Sequence, residues 1–296
     1  MILSRYSYVS AALRDPRFDI PGGSPAEADH RAMREQALEL YAPARWRANF
    51  SAEAEKLAEG LEGEVELVRD FVQPWAFGVA ALVTGVPKEF VPVLLPFAQA
   101  VFDAGAAPDD ATLAGHSSGA TARLAGAYSA REAPLHVQAF VALTISLPAF
   151  MGNAFLALLD NPVQQAFVRE KTAVDELLRF AGPSLIQRRV ARERFQLLDL
   201  TVNARQRVEL RLAEANHDGE EFPDPDRLDL RRSAAGHVAL GAGAHACVGG
   251  PLIRAATTAM FDSVADRLLP RLELLGAEPY GGPAIRGHRV RVLVKT

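Results

Sequence analysis

Apolar positions recur mostly at helical spacing along this chain, and strand-like alternation is confined to short segments in its last third. Residues 5–15 predict a short helix that ends before the loop marked by Pro16, Pro21, Gly22 and Gly23. AEADHRAMREQALELY predicts a second helix, and from Ser51 to Leu67 the positions Ala54, Leu57, Ala58, Leu61 and Val65 give a weaker helical pattern. VRDFVQPWAFGVAALVTGVP reads as a strongly apolar helix, broken at Pro74 and stopped by Gly85 and Pro87. Asp103 to Pro134 is rich in small residues and can hold one helix, hardly two. Leu135 to Asp160 predicts a long apolar helix bent at Pro148. Asn161 and Pro162 read as the N-cap and first position of the helix carrying EKTAVDELLRF. Beyond Phe180, QRRVARERFQLL and RQRVELRLAEA alternate as strands of a small sheet. EEFPDPDRLDLRR reads as irregular, RAATTAMFDSVADRLLPRLEL as helix and VRVLVK as a last strand. The pattern describes a mainly α protein with small β-sheets.

Composition narrows the class. The chain has 296 residues, 49% of them hydrophobic, enough for a sizeable core. A formal net charge of -4 gives no basic surface for nucleic acid or for anionic membrane. A single cysteine excludes an intrachain disulfide and fits a reducing compartment. MILSRYSYVSAALRDPRF has no long apolar core and meets Arg14, Asp15 and Arg17 early, so a soluble, cytoplasmic protein is expected.

That cysteine, Cys247, lies in LGAGAHACVGG, a glycine-punctuated turn that runs into a helix near Pro251. Gly241, Gly243 and Gly249 permit backbone angles and close approaches that a Cβ would forbid. The positive end of the helix dipole favours a thiolate there. Cysteines in general are more often buried and inert, but such a cysteine has no need of three flanking glycines. Two pairs also stand out at helical spacing. His30 and Arg34 share a helix face, ordinarily a solvated one, and Glu176 with Arg179 is ordinarily a surface ion pair of little consequence.

Together these motifs resemble a bacterial cytochrome P450. LGAGAHACVGG resembles that family's haem-binding loop, with Leu240 where phenylalanine is usual, and ELLR at Glu176 to Arg179 is similar to its Glu-x-x-Arg. ANHDGEEFPDPDRLDLRR resembles the meander before the loop, NAFLALLDNP the end of the central helix, and LRDPRF an N-terminal segment. The resemblance implies a compact fold of 1–296 as one haem domain, with haem b between the central helix and the helix after the cysteine loop. It makes Cys247 the axial iron ligand, with Leu240, Gly241, His245 and Gly249 in the loop around it. It assigns His30, Arg34, Arg189 and His237 to the haem propionates, where cationic donors suit two carboxylates. Glu176 and Arg179 become a buried network, with Arg227 the expected third member and Arg231 or Arg232 as alternatives.

Two departures bear on activity. Leu143-Thr144-Ile145-Ser146 stands where the family carries an acid followed by an alcohol, so Ile145 replaces the acid, and Ser146, or failing it Thr144, is the candidate catalytic hydroxyl. The N-terminal sheet region is shortened and the lid, about 103–134, reduced. An open pocket would take a bulky or carrier-bound small molecule, or be covered by another chain, as in a homodimer. The expected chemistry is oxidation in a biosynthetic pathway, with a ferredoxin or flavoprotein as electron donor. The alternatives are peroxide-driven or redox-neutral turnover, such as dehydration, rearrangement or nitrogen-oxygen chemistry, and a non-catalytic partner protein.

Overall fold

A computed structural model describes residues 1–21, 27–107, 110–126, 128–129, 132–282 and 284–295, with the side chains of 27–31 and 43 excepted. The chain opens with β1 (Ile2–Leu3), α1 (Tyr6–Arg14) and β2 (Phe18–Asp19). Helices α2 (Glu27–Leu40) and α3 (Arg47–Glu59) follow. The weak helical pattern over Ser51 to Leu67 ends early. Gly63–Glu66 forms strand β3, paired with the C-terminal strand, because a left-handed Gly63 turns the chain out of the helix.

Val68 to Thr84 is helical throughout and is not broken at Pro74. Val68–Val72 forms a π turn in which the Gln73 amide reaches back five residues to Val68, and α4 (Gln73–Thr84) continues from it with Pro74 in its first turn. Helices α5 (Val91–Ala106) and α6 (Ala111–Ala125) follow, α6 being the one helix that lies wholly within the stretch expected to be the reduced lid, about 103–134. Asp110 caps α6 by accepting from the amides of Thr112 and Leu113 at 2.9 and 3.1 Å.

The same π solution recurs in the central helix, Ala133–Asp160. It comprises α7 (Ala133–Val141), a π turn at Ala142–Ser146 in which Leu147 donates to Ala142, and α8 (Leu147–Asp160). A proline ring collides with the carbonyl four residues back. The wide turn relieves that collision at Pro148 as it does at Pro74, so the irregularity sits in the residues before the proline. This helix is long and apolar enough to cross a membrane, as is Lys88–Ala106, but 67% of its most apolar stretch is buried in the protein.

Asn161 does not cap the next helix. Its Nδ2 donates to the Ala157 carbonyl at 2.9 Å, closing α8, and Pro162–Phe167 is a 3-10 stretch before α9 (Ala173–Ala181). Strands β4 (Ile186–Ala191), β5 (Phe195–Leu197), β6 (Leu200–Val202) and β7 (Arg207–Arg211) follow, with α10 (Leu212–Asn216) taking the LAEA segment expected as strand. Residues 217–242 carry no regular element. Helix α11 (Gly250–Val264) stops short of RLEL, whose Leu272, Glu273 and Leu274 instead open β8 (Leu272–Gly281). This strand forms a long hairpin with β9 (Arg286–Val294), which contains VRVLVK apart from its terminal lysine.

Three small sheets result, in the orders β1-β7-β4-β2, β3-β9-β8 and β5-β6. The main core packs α3, α4, the central helix, α9 and α11 around Phe50, Phe71, Trp75, Phe155 and Phe261, all essentially inaccessible. At Gly152 a Cβ would lie 2.7 Å from Val68 and 2.9 Å from the His288 carbonyl, so only glycine lets α8 press this close to β9. Next to it, Asn153 donates to the carbonyls of Ala181 and Arg286 at 3.1 and 2.9 Å, fixing the end of the central helix to α9 and β9. A second cluster joins α1 to the β4–β7 region, and a third lies under the lid.

Candidate functional site

The cysteine loop is built from its backbone outward. Gly241 and Gly243 both adopt left-handed angles, φ +68 and +70. A Cβ on Gly243 would stand 2.6 Å from the Leu13 carbonyl, so the end of α1 is packed flat against the loop. Asn216 accepts from the Val238 amide at 2.8 Å, and the Cys247 amide donates to Leu240 at 2.7 Å, closing the turn. Gly249 stands at the N-cap of α11, with Pro251 in its first turn.

Cys247 is accessible and lines a cavity of about 730 Å³. Burial pushes its thiol pKa up. The amides of Gly249 and Gly250 and the charges of Arg254 and Arg34 oppose that rise, so the loop favours negative charge on this sulfur. Arg34 donates from Nη1 to the carbonyls of Ala244 and Ala246 at 3.1 and 2.8 Å, tying α2 to the loop. Tyr41, the residue after the end of α2, lines the same cavity; its phenol pKa is raised by burial and then by Cys247.

Arg189 is 4% exposed, lines the cavity, and donates to Arg188 O at 2.9 Å and to Gln187 Oε1 at 3.0 Å. Its pKa is lowered by burial, which the charge of Asp19 only partly offsets. No carboxylate forms an ion pair with it among the described residues. Leu240, His245 and Gly249 line the cavity as well, while Gly241 stands behind them as a turn residue against Gln187.

Two expected site residues are placed elsewhere. His237 is not part of the cavity lining: its Nδ1 accepts from the Ala239 amide at 3.2 Å and its Nε2 lies 3.3 Å from Asp175 Oδ1. Arg254 donates to that same oxygen at 2.7 Å, so His237 belongs to a brace between α9 and α11. Thr144 is buried, and its hydroxyl donates to the Phe140 carbonyl at 2.7 Å, four residues back in its own helix. It does not line the cavity, whereas Ser146 does. Ile145 points to the other side and packs under the lid. The side chain of His30 lies outside the described residues.

The Glu176–Arg179 pair is fully buried and bidentate, at 2.7 and 2.9 Å. Its third member is Arg232, whose Nε donates to Glu176 at 3.1 Å, and not Arg227, which contributes only a carbonyl that Arg232 bonds. Arg179 also donates to the carbonyls of Asn216 and Pro225 at 2.7 and 2.8 Å, so the pair pins the irregular stretch before the cysteine loop.

Sequence reasoning passed over Asp175, Arg254, Gln187 and Tyr41. Tyr41 shares a helix face with Arg34 at i+7, a spacing that could have revealed it. The others are joined only by the fold.

No family model matches the chain. Among curated proteins it is 40% identical over 110 residues to cytochrome P450 107B1 of Saccharopolyspora erythraea, covering 35% of this chain and 27% of that one. It is 34% identical over 133 residues to a biotin biosynthesis cytochrome P450 of Bacillus subtilis, covering 43% and 33%. The matched segments thus span between about a quarter and a third of these relatives. A longer match, 26% identical over 272 residues, joins it to CYP199A2 of Rhodopseudomonas palustris, covering 80% and 66%. Among solved structures, P450BioI in complex with a hexadecenoic acid-ligated acyl carrier protein superposes with a TM-score of 0.89 at 22% identity, over 99% of this chain and 91% of that one. CYP164A2 of Mycobacterium smegmatis gives 0.87 at 22%, over 99% and 90%. The fold is that of the cytochromes P450. Parts of its sequence are similar to bacterial cytochromes P450.

Proposed function

We propose that the chain is a haem-thiolate oxidoreductase that oxidises an organic small molecule, with haem b held through Cys247. The observation that carries this reading is an exposed cysteine on a glycine-built floor, lining a cavity that also holds a buried arginine with no carboxylate partner among the described residues. The cavity, about 730 Å³, lies within the range of cofactor pockets. Arg189, desolvated and hydrogen-bonded among the described residues only to a carbonyl and an amide, suits a carboxylate-bearing planar ligand. Arg34 would add a second cation and keep the loop closed. When bound, haem with a thiolate ligand supplies oxidising chemistry at iron, electron density from the sulfur favouring O–O cleavage.

The chain's own residues shape what this site can do. The amides of Gly249 and Gly250 temper the charge on sulfur, and the mostly apolar cavity wall excludes water around a bound substrate. Ser146 is the candidate for holding a proton near the reacting centre. Oxidation is the default reaction, and a monooxygenase cycle would draw electrons from a ferredoxin or flavoprotein. One observation favours the second reading, in which peroxide is used or the step is redox-neutral. Among the described residues the central helix presents no carboxylate or imidazole to the cavity, since Ile145 stands where the acid was expected and points away. An exposed residue, Gln138, lies in the cavity lining, which suits a bulky or carrier-bound substrate reaching in from the surface and a mouth covered by a second copy. A biosynthetic role and a cytoplasmic location complete the reading.

The test is the spectrum of the purified protein. A reduced carbon monoxide complex with the far-red Soret band of thiolate ligation supports the reading, and Cys247→Ala should abolish that band. A protein that stays colourless after haem reconstitution would overturn it in favour of a non-catalytic partner. Turnover with dioxygen and surrogate redox proteins, compared with peroxide and with anaerobic substrate, separates the two enzymatic versions.

A further inference from the structure

The cavity-facing side of the central helix is apolar except at Gln138 and Ser146. Neither side chain has a hydrogen-bond partner among the described residues. They are eight residues apart, or about 12 Å along the axis at 1.5 Å per residue. Across the cavity, Ser184 adds another hydroxyl. The charged or titratable lining groups are Arg34, Tyr41, Arg189, His245 and Cys247. All belong to α2 or the residue after it, to β4 or to the cysteine loop, and among the described residues the central helix contributes none.

An elongated molecule lying along this helix therefore meets only neutral hydrogen-bonding groups. Apolar contact covers most of its length, and an amide at Gln138 stands far from Ser146. When such a molecule displaces water from the wall, Gln138 loses its solvent partners, and a ligand with no donor or acceptor there leaves the amide unpaired. A carboxylate fares worse still, because the two arginines are committed to the loop carbonyls and, in the reading above, to the cofactor. An ammonium group finds no anion on this wall.

Resting on that reading, we propose that Gln138 anchors a neutral hydroxyl, carbonyl or amide of a mostly apolar, elongated substrate, and so sets how far along the chain the reaction occurs near Ser146. The substrate class is then uncharged at its anchored end. Its selectivity comes from a hydrogen bond whose loss is penalised.

The experiment uses four probes with the same alkyl chain: decanamide, decanol, decanoate and decylamine. Binding is followed by titration calorimetry and by the Soret shift of the haem-loaded protein. Decanamide and decanol should bind more tightly than the two charged probes. Gln138→Leu should lower decanamide affinity roughly tenfold, the worth of about one hydrogen bond. Gln138→Glu should raise decylamine affinity and weaken decanoate further. Gln138 is exposed, so both variants should fold, and their carbon monoxide spectra verify it. Unchanged affinities with that spectrum intact, or tightest binding of decanoate, would overturn the anchor while leaving the haem-thiolate reading in place. A wild-type protein without the spectrum would overturn both.

Discussion

Arg34 on α2 donates from Nη1 to the carbonyl of Ala246, 2.8 Å away and 212 positions further along the chain, so the residue before Cys247 is held by a distant helix. Arg34→Met removes this bond and the one to Ala244. It should loosen the loop and cost about 1.5–3 kcal/mol, the range for hydrogen bonds to charged groups. Haem dissociation rates and thermal unfolding of the same preparation check it, with Arg34→Lys giving a smaller deficit.

Removing one partner of the Glu176–Arg179 pair should be among the most destabilising single changes in the protein. Both side chains are fully buried, and the survivor would be an uncompensated charge. Glu176→Ala or Arg179→Ala is expected to cost about 3–5 kcal/mol in urea unfolding. Arg227→Ala should cost far less than Arg232→Ala, which separates the observed third member from the expected one.

Arg189→Met should move stability and cofactor binding in opposite directions. The buried guanidinium has no carboxylate ion-pair partner among the described residues, so an apolar replacement relieves desolvation in the haem-free protein, whose melting temperature should hold or rise. Haem affinity should fall, since a cation facing the cavity is lost. Differential scanning fluorimetry and haem titration read the two effects separately.

Acid should weaken the fold in two steps. Burial lowers the pKa of His136 and of His288, so the unfolded chain takes up their protons first and stability declines below about pH 6.5. Asp175 is held below the ordinary carboxylate range, chiefly by the hydrogen bond from His237; burial acts in the other direction, and the Arg254 bond reinforces the lowering. Its stabilisation is present above about pH 4 and is lost as pH falls through its lower folded value. Urea midpoints from pH 3 to 8 should show both limbs, and Asp175→Asn should flatten the lower one.

Ile145→Asp tests whether the missing acid can simply be restored. Ile145 packs against the apolar cluster under the lid and not into the cavity. A carboxyl there would be desolvated without a partner, costing about 1–3 kcal/mol and leaving oxygen-dependent turnover unimproved. Thermal unfolding and the yield of product per electron consumed provide the check.

The helices, the cysteine loop and the buried pair were legible because each is written in local spacing or in a contiguous motif. The misreadings share one cause, which is competition from distant partners. Gly63–Glu66 and RLEL are strands only because β9 lies between them. Asn161 looked like a cap for the helix after it and instead closes the one before. His237 carries the same letter whether it faces a propionate or Asp175, and only the meeting of α9 with α11 decides. Thr144 and Ser146 could not be told apart by residue type, since the π turn determines which hydroxyl meets the cavity.

That turn at Ala142–Ser146 also fixes how many residues the central helix can contain. An α-helix advances about 100° per residue, so losing a single residue here would swing everything upstream by that angle. Gln138 would leave the cavity wall, the lid-facing apolar positions would turn with it, and Pro148 would again collide with the carbonyl four residues back. Insertions and deletions in this stretch are therefore penalised as severely as changes of side chain, and chain length across the turn is itself a structural requirement.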